Sequence, residues 1–260
     1  MTSEPTKPKP RRWLQFSLRT FFVLVTVFCV WLGWTVHRAN EQRKAVEWVR
    51  EMGGDVAYGY QRDEAGIPIV DAKPPGPKWL RQLLGVDYFQ EVTVVDLKTT
   101  PVSDLTPLAG LKNLELLWLN GTQGSDLTPL AKMTSLEFLS LDNTHVSDLT
   151  PLAKMTSLQW LQLNYTQVSD LTPLAGLKSL KALVLRATEV SDLTPLAKLT
   201  SLESLLLDNT PVSDPTPLAK LTNLQWLSLD NTPASEEQVE ELRQALPNCE
   251  IIWSPPDPSP

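Results

Sequence analysis

Apolar and polar residues follow a pattern that repeats every 22 residues along most of the chain. Segments of the form L-x-x-L-x-L alternate apolar and variable residues, as expected of a strand with one buried face. A fixed period of this length indicates a solenoid, in which each coil of the chain stacks on the previous one. The polar motif between the strands, SDLTPLA or its variant SDPTPLA, begins at Ser103, Ser125, Ser147, Ser169, Ser191 and Ser213.

Eight strand-like segments can be aligned on this period, from VTVVDLK at residue 92 to CEIIW at residues 249–253. Their fourth and sixth positions are apolar, so we predict that these side chains fill the core. The third, fifth and seventh positions are then expected to face away from it. Thr at the ninth position is expected to satisfy backbone groups that leave the strand. The Asp before Leu-Thr-Pro is expected to cap a short helical turn on the opposite side of the coil.

The segment after the last SDPTPLA copy predicts a cover for one end of the core. Residues 235–253, SEEQVEELRQALPNCEIIW, indicate a helix with an acidic first turn, followed by the last strand. We interpret these residues as a C-terminal capping repeat, because the terminal coil of a solenoid would otherwise expose apolar surface. Residues 254–260, SPPDPSP, are predicted to be a disordered tail.

Residues 37–91 connect the N-terminal segment to the repeats. Residues 39–52 show helical spacing of apolar positions, DVAYGY alternates like a short strand, and a linker rich in Pro and Gly follows. A second helix is predicted after Pro77, and we expect it to cap the open N-terminal end of the core. Its apolar stripe consists of Trp79, Leu80, Leu83 and Leu84.

An apolar segment near the N-terminus predicts a single-pass membrane anchor. Residues 13–36 would form about 36 Å of helix, enough to cross a hydrocarbon core of ~30 Å, and residues 1–12 are a basic head. Because more Lys and Arg precede this segment than follow it closely, we expect a cytoplasmic N-terminus and an extracytoplasmic repeat domain at the cell membrane. The alternatives are a cleaved signal peptide, although no A-x-A-like site follows, and a soluble protein with a buried helix.

The motif L-x-x-L-x-L-x-x-T-x-V-SDLTPLA-x-L-x-x-L resembles the leucine-rich repeat, specifically the 22-residue subtype of internalin-like bacterial proteins. The resemblance covers residues 92–253. It implies an α/β leucine-rich repeat solenoid, with a parallel sheet on the concave side and 3-10 or helical turns on the convex side. The ninth position usually holds Asn in that family, whereas this chain has Thr there. The N-terminal segment also looks like that of single-pass bacterial repeat proteins.

Charge and composition exclude several functions. The formal net charge is -7, and residues 92–253 carry 10 Lys or Arg against 19 Asp or Glu, so we expect no binding to nucleic acid. Cys29 and Cys249 are the only cysteines, and no metal-ligand or nucleotide-binding motif occurs, so we predict no cofactor and no metal site. His145 is the only histidine of the repeats, and we interpret it as a surface residue. We therefore predict that the protein is not an enzyme.

Large side chains at outward positions of the strands predict a binding surface. These positions vary between copies while SDLTPLA does not, and exposed aromatic side chains in neighbouring rungs are typical of contact sites. We predict that the concave sheet binds a protein partner or an envelope glycan. Random drift of the outward positions, or a spacer role in the cell envelope without a specific ligand, are the alternatives. The predicted binding residues are Leu116, Trp118, Asn120, Phe138, Asp142, Trp160, Asn164, Tyr165, Arg186, Asp208, Trp226 and Asp230.

Overall fold

One sheet runs through the repeats, with its strands stacked in chain order. The computed structural model describes residues 18–61, residue 69 and residues 72–256. The predicted basic head, residues 13–17 of the predicted membrane segment and residues 257–260 of the predicted tail lie outside the described residues. Within the described part, the strands are β1 Asp55–Tyr58, β2 Val92–Asp96, β3 Leu116–Trp118, β4 Phe138–Ser140, β5 Trp160–Gln162, β6 Ala182–Val184, β7 Ser204–Leu206, β8 Trp226–Asp230 and β9 Glu250–Ser254.

Helices cover both ends of this sheet, and 3-10 helices line its convex side. The α-helices are α1 Leu18–Glu51, α2 Lys78–Leu84 and α3 Glu236–Ala245. Each SDLTPLA or SDPTPLA motif forms a 3-10 helix that starts at its Thr, because Pro is tolerated in the first turn of a helix. These 3-10 helices are Thr106–Gly110, Thr128–Leu130, Thr150–Leu152, Thr172–Gly176, Thr194–Lys198 and Thr216–Lys220.

The core is a column of leucines contributed by every coil. In β2 to β8 the fourth and sixth strand positions, such as Leu161 and Leu163, are fully buried, and so is the Leu of each 3-10 helix, such as Leu152. Burial of one such side chain contributes about 1.5–3 kcal/mol to the free energy of unfolding. Because these side chains are buried against neighbouring coils, each coil is stabilised mainly by its contacts with those neighbours. The predicted α/β leucine-rich repeat solenoid is confirmed at this level of detail.

Strand register is the same throughout the repeats. β2 to β9 pair in parallel with equivalent positions aligned, for example Leu139 with Leu161. β1, the strand predicted from DVAYGY, pairs antiparallel with β2 and lies at the N-terminal edge of the sheet. The concave side therefore presents side chains in straight rows across the rungs.

The ninth position of each repeat satisfies the backbone where the chain leaves the sheet. Each Thr is buried and donates its hydroxyl hydrogen to a carbonyl three residues earlier, as Thr166 Oγ1 does to Leu163 O at 2.7 Å. The residue before this Thr has a positive φ, which Asn and Gly tolerate best. The positive-φ residues at this position are Thr99, Gly121, Asn143, Tyr165, Ala187, Asn209 and Asn231.

The Asp side chain of each SDLTPLA or SDPTPLA motif accepts a hydrogen bond at the start of the 3-10 helix that follows it. Asp148 Oδ1 accepts a hydrogen bond from the backbone N–H of Thr150 at 2.8 Å, and the other copies repeat this contact. Hydrogen bonds from the Thr hydroxyl first, and from the backbone N–H second, lower the pKa of this carboxyl group. The predicted contact of these aspartates with the start of the helical turn is observed, although the N-cap position itself holds the Leu or Pro that follows each Asp. The equivalent aspartates are Asp104, Asp126, Asp170, Asp192 and Asp214.

The N-terminal end of the core is covered by α1. This helix has 34 residues and joins the predicted membrane segment and the predicted juxtamembrane helix without a break. Its C-terminal half buries Ala45, Val46 and Val49 in the leucine core. Trp79 of α2 is 66% exposed and does not cover the core, contrary to the prediction, and the side chains of Leu83 and Leu84 lie outside the described residues. Since no Pro and only one Gly interrupts α1, the chain can reach the core in one helix.

The C-terminal end is closed by α3 and β9, as predicted. Ser235 caps α3 by accepting a hydrogen bond from the backbone N–H of Gln238, whose side chain contacts Ser235 in return. Val239 and Leu242 are buried against the last coil. Ser254 is the final residue of β9 and pairs with β8, so it is not the first residue of the tail as predicted.

Candidate functional site

The concave sheet presents its outward side chains in rows, one row for each strand position. Equivalent residues of neighbouring rungs lie about 4.8 Å apart because the parallel strands are in register. In the first row, strand pairing places Leu116 beside Phe138 and Phe138 beside Trp160. Trp118 lies in the middle row, beside Ser140. The register thus brings four of the predicted apolar residues together at the N-terminal half of the sheet.

We call Leu116, Trp118, Phe138 and Trp160 the aromatic patch. The ring centroids of Trp118 and Phe138 are 5.1 Å apart with a tilt of 42°, within the range of favourable aromatic pairs. Trp160 is 38% exposed, and the other three side chains are half-buried. Because their backbones belong to adjacent paired strands, these side chains form a preformed apolar surface open to solvent.

Two lysines flank the aromatic patch. The Nζ of Lys98 lies 4.7 Å from the ring centroid of Trp118, and the Nζ of Lys181 lies 5.8 Å from that of Trp160. Both distances are within reach of a cation–π interaction. Neither lysine was among the predicted binding residues, although the outward seventh position of β2 already indicated Lys98. Lys98 Nζ also pairs with Asp96 Oδ2 at 2.9 Å, so the charge of this lysine is partly neutralised. Among the described residues, Lys181 forms no ion pair, so it is the cation beside the patch that is open to a partner.

A polar network lies beside the aromatic patch. Asn120 Nδ2 donates to Ser140 Oγ at 2.6 Å, and Ser140 Oγ donates to Gln162 Oε1 at 2.9 Å. Ser140 is fully buried although it occupies an outward position. The network links three successive rungs, so it holds the sheet in register next to the aromatic rings.

Asp142 and Asn164 support the backbone of the sheet. Asp142 Oδ1 accepts from the backbone N–H of Asn164 at 2.8 Å, and Asn164 Oδ1 accepts from the backbone N–H of Arg186 at 3.0 Å. In both cases a side chain of one rung bonds the backbone of the next rung, 22 residues on. These contacts give two of the predicted binding residues a structural role.

Two of the predicted acidic binding residues, Asp208 and Asp230, are partly neutralised or hydrogen-bonded. Arg186 Nε and Asp208 Oδ2 form an ion pair at 2.6 Å, and the Asp208 side chain is only 14% exposed. Ser228 Oγ also donates to Asp208, and Ser254 Oγ donates to Asp230. These two positions therefore present less free negative charge than the sequence indicates.

Two predicted aromatic residues lie apart from the aromatic patch. Trp226 is 39% exposed and lies in the same row as Trp160, but three rungs away, which corresponds to about 14 Å. The small side chains of Ala182 and Ser204 separate the two indoles. Tyr165 follows β5 at the end of its rung and is 62% exposed. The C-terminal half of the sheet is thus a second, more open part of the surface.

The side chains that could support chemistry lie outside this surface. His145 is exposed after β4, in the loop that leads to the convex side. Burial, and then the charge of Glu250, raises the pKa of the Cys249 thiol to about 11, which disfavours a reactive thiolate. Within the described residues, no group of three His, Cys, Asp or Glu side chains is arranged to hold a metal ion.

Comparisons with known proteins point to bacterial repeat proteins. No protein-family model matches the chain, and no curated protein sequence matches it. Among solved structures, internalin C2 of Listeria monocytogenes is 34% identical with a TM-score of 0.61, over 66% of this chain and 75% of that chain. Internalin F of the same organism is 30% identical with a TM-score of 0.58, over 67% of this chain and 53% of that chain.

A leucine-rich repeat protein of Leptospira interrogans is also similar. It is 29% identical with a TM-score of 0.55, over 58% of this chain and 40% of that chain. The chain thus spans three quarters of internalin C2 but about half or less of the other two proteins.

Proposed function

We propose that this chain, which belongs to the internalin-like bacterial leucine-rich repeat proteins, is a membrane-anchored binding protein that holds a protein partner on its concave sheet. Protein interaction is the general role that this fold suggests. The observation that carries the proposal is the aromatic patch, which exposes three aromatic rings on adjacent paired strands. Large aromatic side chains on a fixed surface are the residues that dominate the energetics of protein interfaces.

A protein fits this surface better than a glycan does. The aromatic patch includes Leu116 and Phe138, which supply apolar contact without a hydrogen-bonding group, and the cation Lys181 lies at its rim. We propose a partner segment with apolar side chains at its centre and carboxylates beside them, because such a segment would match both features. We propose no catalytic role, so His145 is expected to be dispensable.

The anchor in this proposal is the N-terminal part of α1. Within the described residues, α1 is the one helix long and apolar enough to cross a membrane, with a mean hydropathy of 1.8 over its most apolar window. Residues 21–34 of this helix are exposed, whereas its C-terminal half packs in the core. A buried continuation of the same helix favours a retained anchor over a cleaved signal peptide. We propose that residues 37–91 form the cap and stalk and that residues 92–253 form the binding domain, outside the cytoplasm.

A double substitution within the aromatic patch tests the binding role. Trp118 and Trp160 are replaced together by Ser in the full chain, and the material captured from envelope extracts is compared with that captured by the unchanged chain. The matched control is Trp79→Ser, because Trp79 is more exposed than either residue but lies on α2, away from the sheet. Loss of capture by the double variant, with capture retained by the control, is the expected result.

The same experiment separates the alternatives. Captured material that survives protease treatment and carries sugar would identify a glycan ligand in place of a protein. Equal capture by the double variant and the unchanged chain would contradict the binding role and favour a spacer. Substitution of His145 by Ala is expected to leave capture unchanged.

A further inference from the structure

The two edges of the solenoid carry opposite net charges, although Glu115, Glu137 and Glu203 also lie on the edge where strands begin. Each repeat contributes one exposed lysine between the start of its 3-10 helix and the next strand, and one exposed aspartate between the strand and the 3-10 helix. The first set lines the edge where strands begin, and the second lines the edge where strands end. We call the first set the lysine edge, and its members are Lys112, Lys132, Lys154, Lys178, Lys198 and Lys220.

The aspartates have a structural partner and the lysines do not. Each aspartate of the opposite edge accepts a hydrogen bond at the start of a 3-10 helix, as Asp170 does from Thr172 N at 2.8 Å. Among the described residues, none of the six lysines of the lysine edge forms an ion pair with a carboxylate. Folding therefore accounts for the aspartates, whereas the lysine charges remain available to a partner.

The path of α1 relates the lysine edge to the membrane. Near the membrane segment, Arg38 pairs with Glu91 at 2.5 Å and Gln42 Nε2 donates to Gln90 O at 2.8 Å, just before β2 begins. At the other end of the helix, the chain turns into β1, where Asp55 pairs with Asp96 at the end of β2. The helix thus crosses the end of the solenoid from the lysine edge to the aspartate edge. Its membrane segment leaves the molecule on the lysine side.

The lysine edge is close to the point where α1 would enter the bilayer. Lys112 lines a cleft together with Trp34, His37 and Arg38, the residues at the end of the apolar segment. Glu41, which lines the same cleft, is five positions after Val36, and five steps along a helix rise by about 8 Å. This distance is about one Debye length at physiological ionic strength, so the charge of Lys112 would act on the membrane surface.

We propose that the lysine edge lies against anionic phospholipid headgroups. From Lys112 to Lys220 the row crosses five rung intervals, or about 24 Å, so it follows the membrane if the solenoid axis lies along the surface. The aspartates of the opposite edge are repelled by the same surface, and this repulsion favours the same orientation. The concave sheet then stands upright on the membrane and faces sideways. This inference rests on the proposed membrane anchoring.

A pair of fluorescent labels tests this orientation. In the full chain with Cys29→Ala and Cys249→Ala, one new cysteine is placed at Thr156 on the lysine edge or at Ser169 on the aspartate edge. Both positions are exposed and belong to adjoining coils. The labelled proteins are reconstituted into phosphatidylcholine vesicles, with or without phosphatidylglycerol, that contain a lipid with a quenching nitroxide on its headgroup.

The expected result is stronger quenching at position 156 than at position 169, by about twofold or more in vesicles with phosphatidylglycerol. High salt should reduce this difference. Replacing five members of the lysine edge by Gln should remove the part that depends on phosphatidylglycerol, and replacing them by Arg should preserve it. The five are Lys132, Lys154, Lys178, Lys198 and Lys220. Because all five side chains are exposed, these variants are expected to fold, and their circular dichroism checks this.

Two different results would contradict the inference, and each is measured separately. Flotation with phosphatidylcholine vesicles reports membrane insertion by α1 alone. A protein that does not float contradicts the proposed anchor, and with it this orientation. A protein that floats but shows equal quenching at both positions in phosphatidylglycerol vesicles contradicts the lysine-edge contact only, and leaves the anchor and the concave binding surface in place.

Discussion

At the scale of single residues, Tyr165 combines exposure with an unfavourable backbone conformation. Its φ is 55°, at a position where three other repeats have Asn and one has Gly, although Thr99 and Ala187 also occur there. A bulky residue in this region costs energy that Asn largely avoids, and such strain is often found at binding sites. We predict that Tyr165→Asn raises the free energy of unfolding by about 1 kcal/mol and weakens partner capture. Urea unfolding measures the first effect and capture from envelope extract the second.

A suitable control for Tyr165 is Asn143→Tyr, which places the same side chain at the same point of the preceding repeat. This variant should lose about the stability that Tyr165→Asn gains. If Tyr165→Asn were destabilising, the left-handed conformation would not be a source of strain.

The aspartates that accept hydrogen bonds at the starts of the 3-10 helices predict how stability depends on pH. The pKa of each is lowered in the folded state, first by the Thr hydroxyl and then by the Thr backbone N–H. A carboxyl group whose pKa is lower in the folded state than in the unfolded state stabilises the fold when it is ionised. This stabilisation is complete above the unfolded pKa of about 3.9, and it is lost as the pH falls through the pKa of the folded state. We therefore expect the urea midpoint to decrease below about pH 4. Asp148→Asn, which keeps an acceptor oxygen but does not titrate, should make this decrease smaller.

At the scale of elements, α1 has two roles that the sequence presented as two separate helices. Val49 is fully buried in the leucine core, so Val49→Ala should lower the free energy of unfolding by about 2 kcal/mol. Glu47→Ala on the exposed face of the same helix should change it by less than about 0.5 kcal/mol. Chemical unfolding of both variants measures the difference. Equal stability of the two variants would show that α1 does not cap the core.

The sequence predicted the repeated elements well and the contacts between them less well. The 22-residue period defines which leucines are buried, because neighbouring coils repeat the same environment. The continuity of α1 was missed, although the absence of Pro between Phe21 and Met52 was an available signal. The pairing of Arg186 with Asp208 also follows from the period, since they are 22 residues apart. The burial of Ser140 could not be predicted, because it depends on the side-chain conformations of Asn120 and Gln162.

At the scale of the whole molecule, the repeats allow entire coils to be removed without new junctions. Deleting residues 169–190 joins Val168 to Ser191, and deleting residues 147–168 joins Val146 to Ser169, so both deletions recreate the Val-Ser-Asp junction of the natural chain. Each removes one strand and one 3-10 helix, and a solenoid loses about the same neighbour contacts in the two cases. We expect both proteins to fold, with similar urea midpoints.

The two deletions differ in what they do to the concave surface. Removal of residues 169–190 leaves the aromatic patch complete and brings Trp226 one rung closer to Trp160, although it also removes Lys181 from the rim. Removal of residues 147–168 takes Trp160 itself away. We therefore predict that the first protein still captures the partner and that the second does so poorly, by more than about tenfold if Trp160 is an energetic centre of the interface. Equal capture by both would mean that the partner binds outside the aromatic patch. Loss of capture by both would show that the partner also needs the sixth strand, where Val184 and Arg186 extend the surface beyond Trp160.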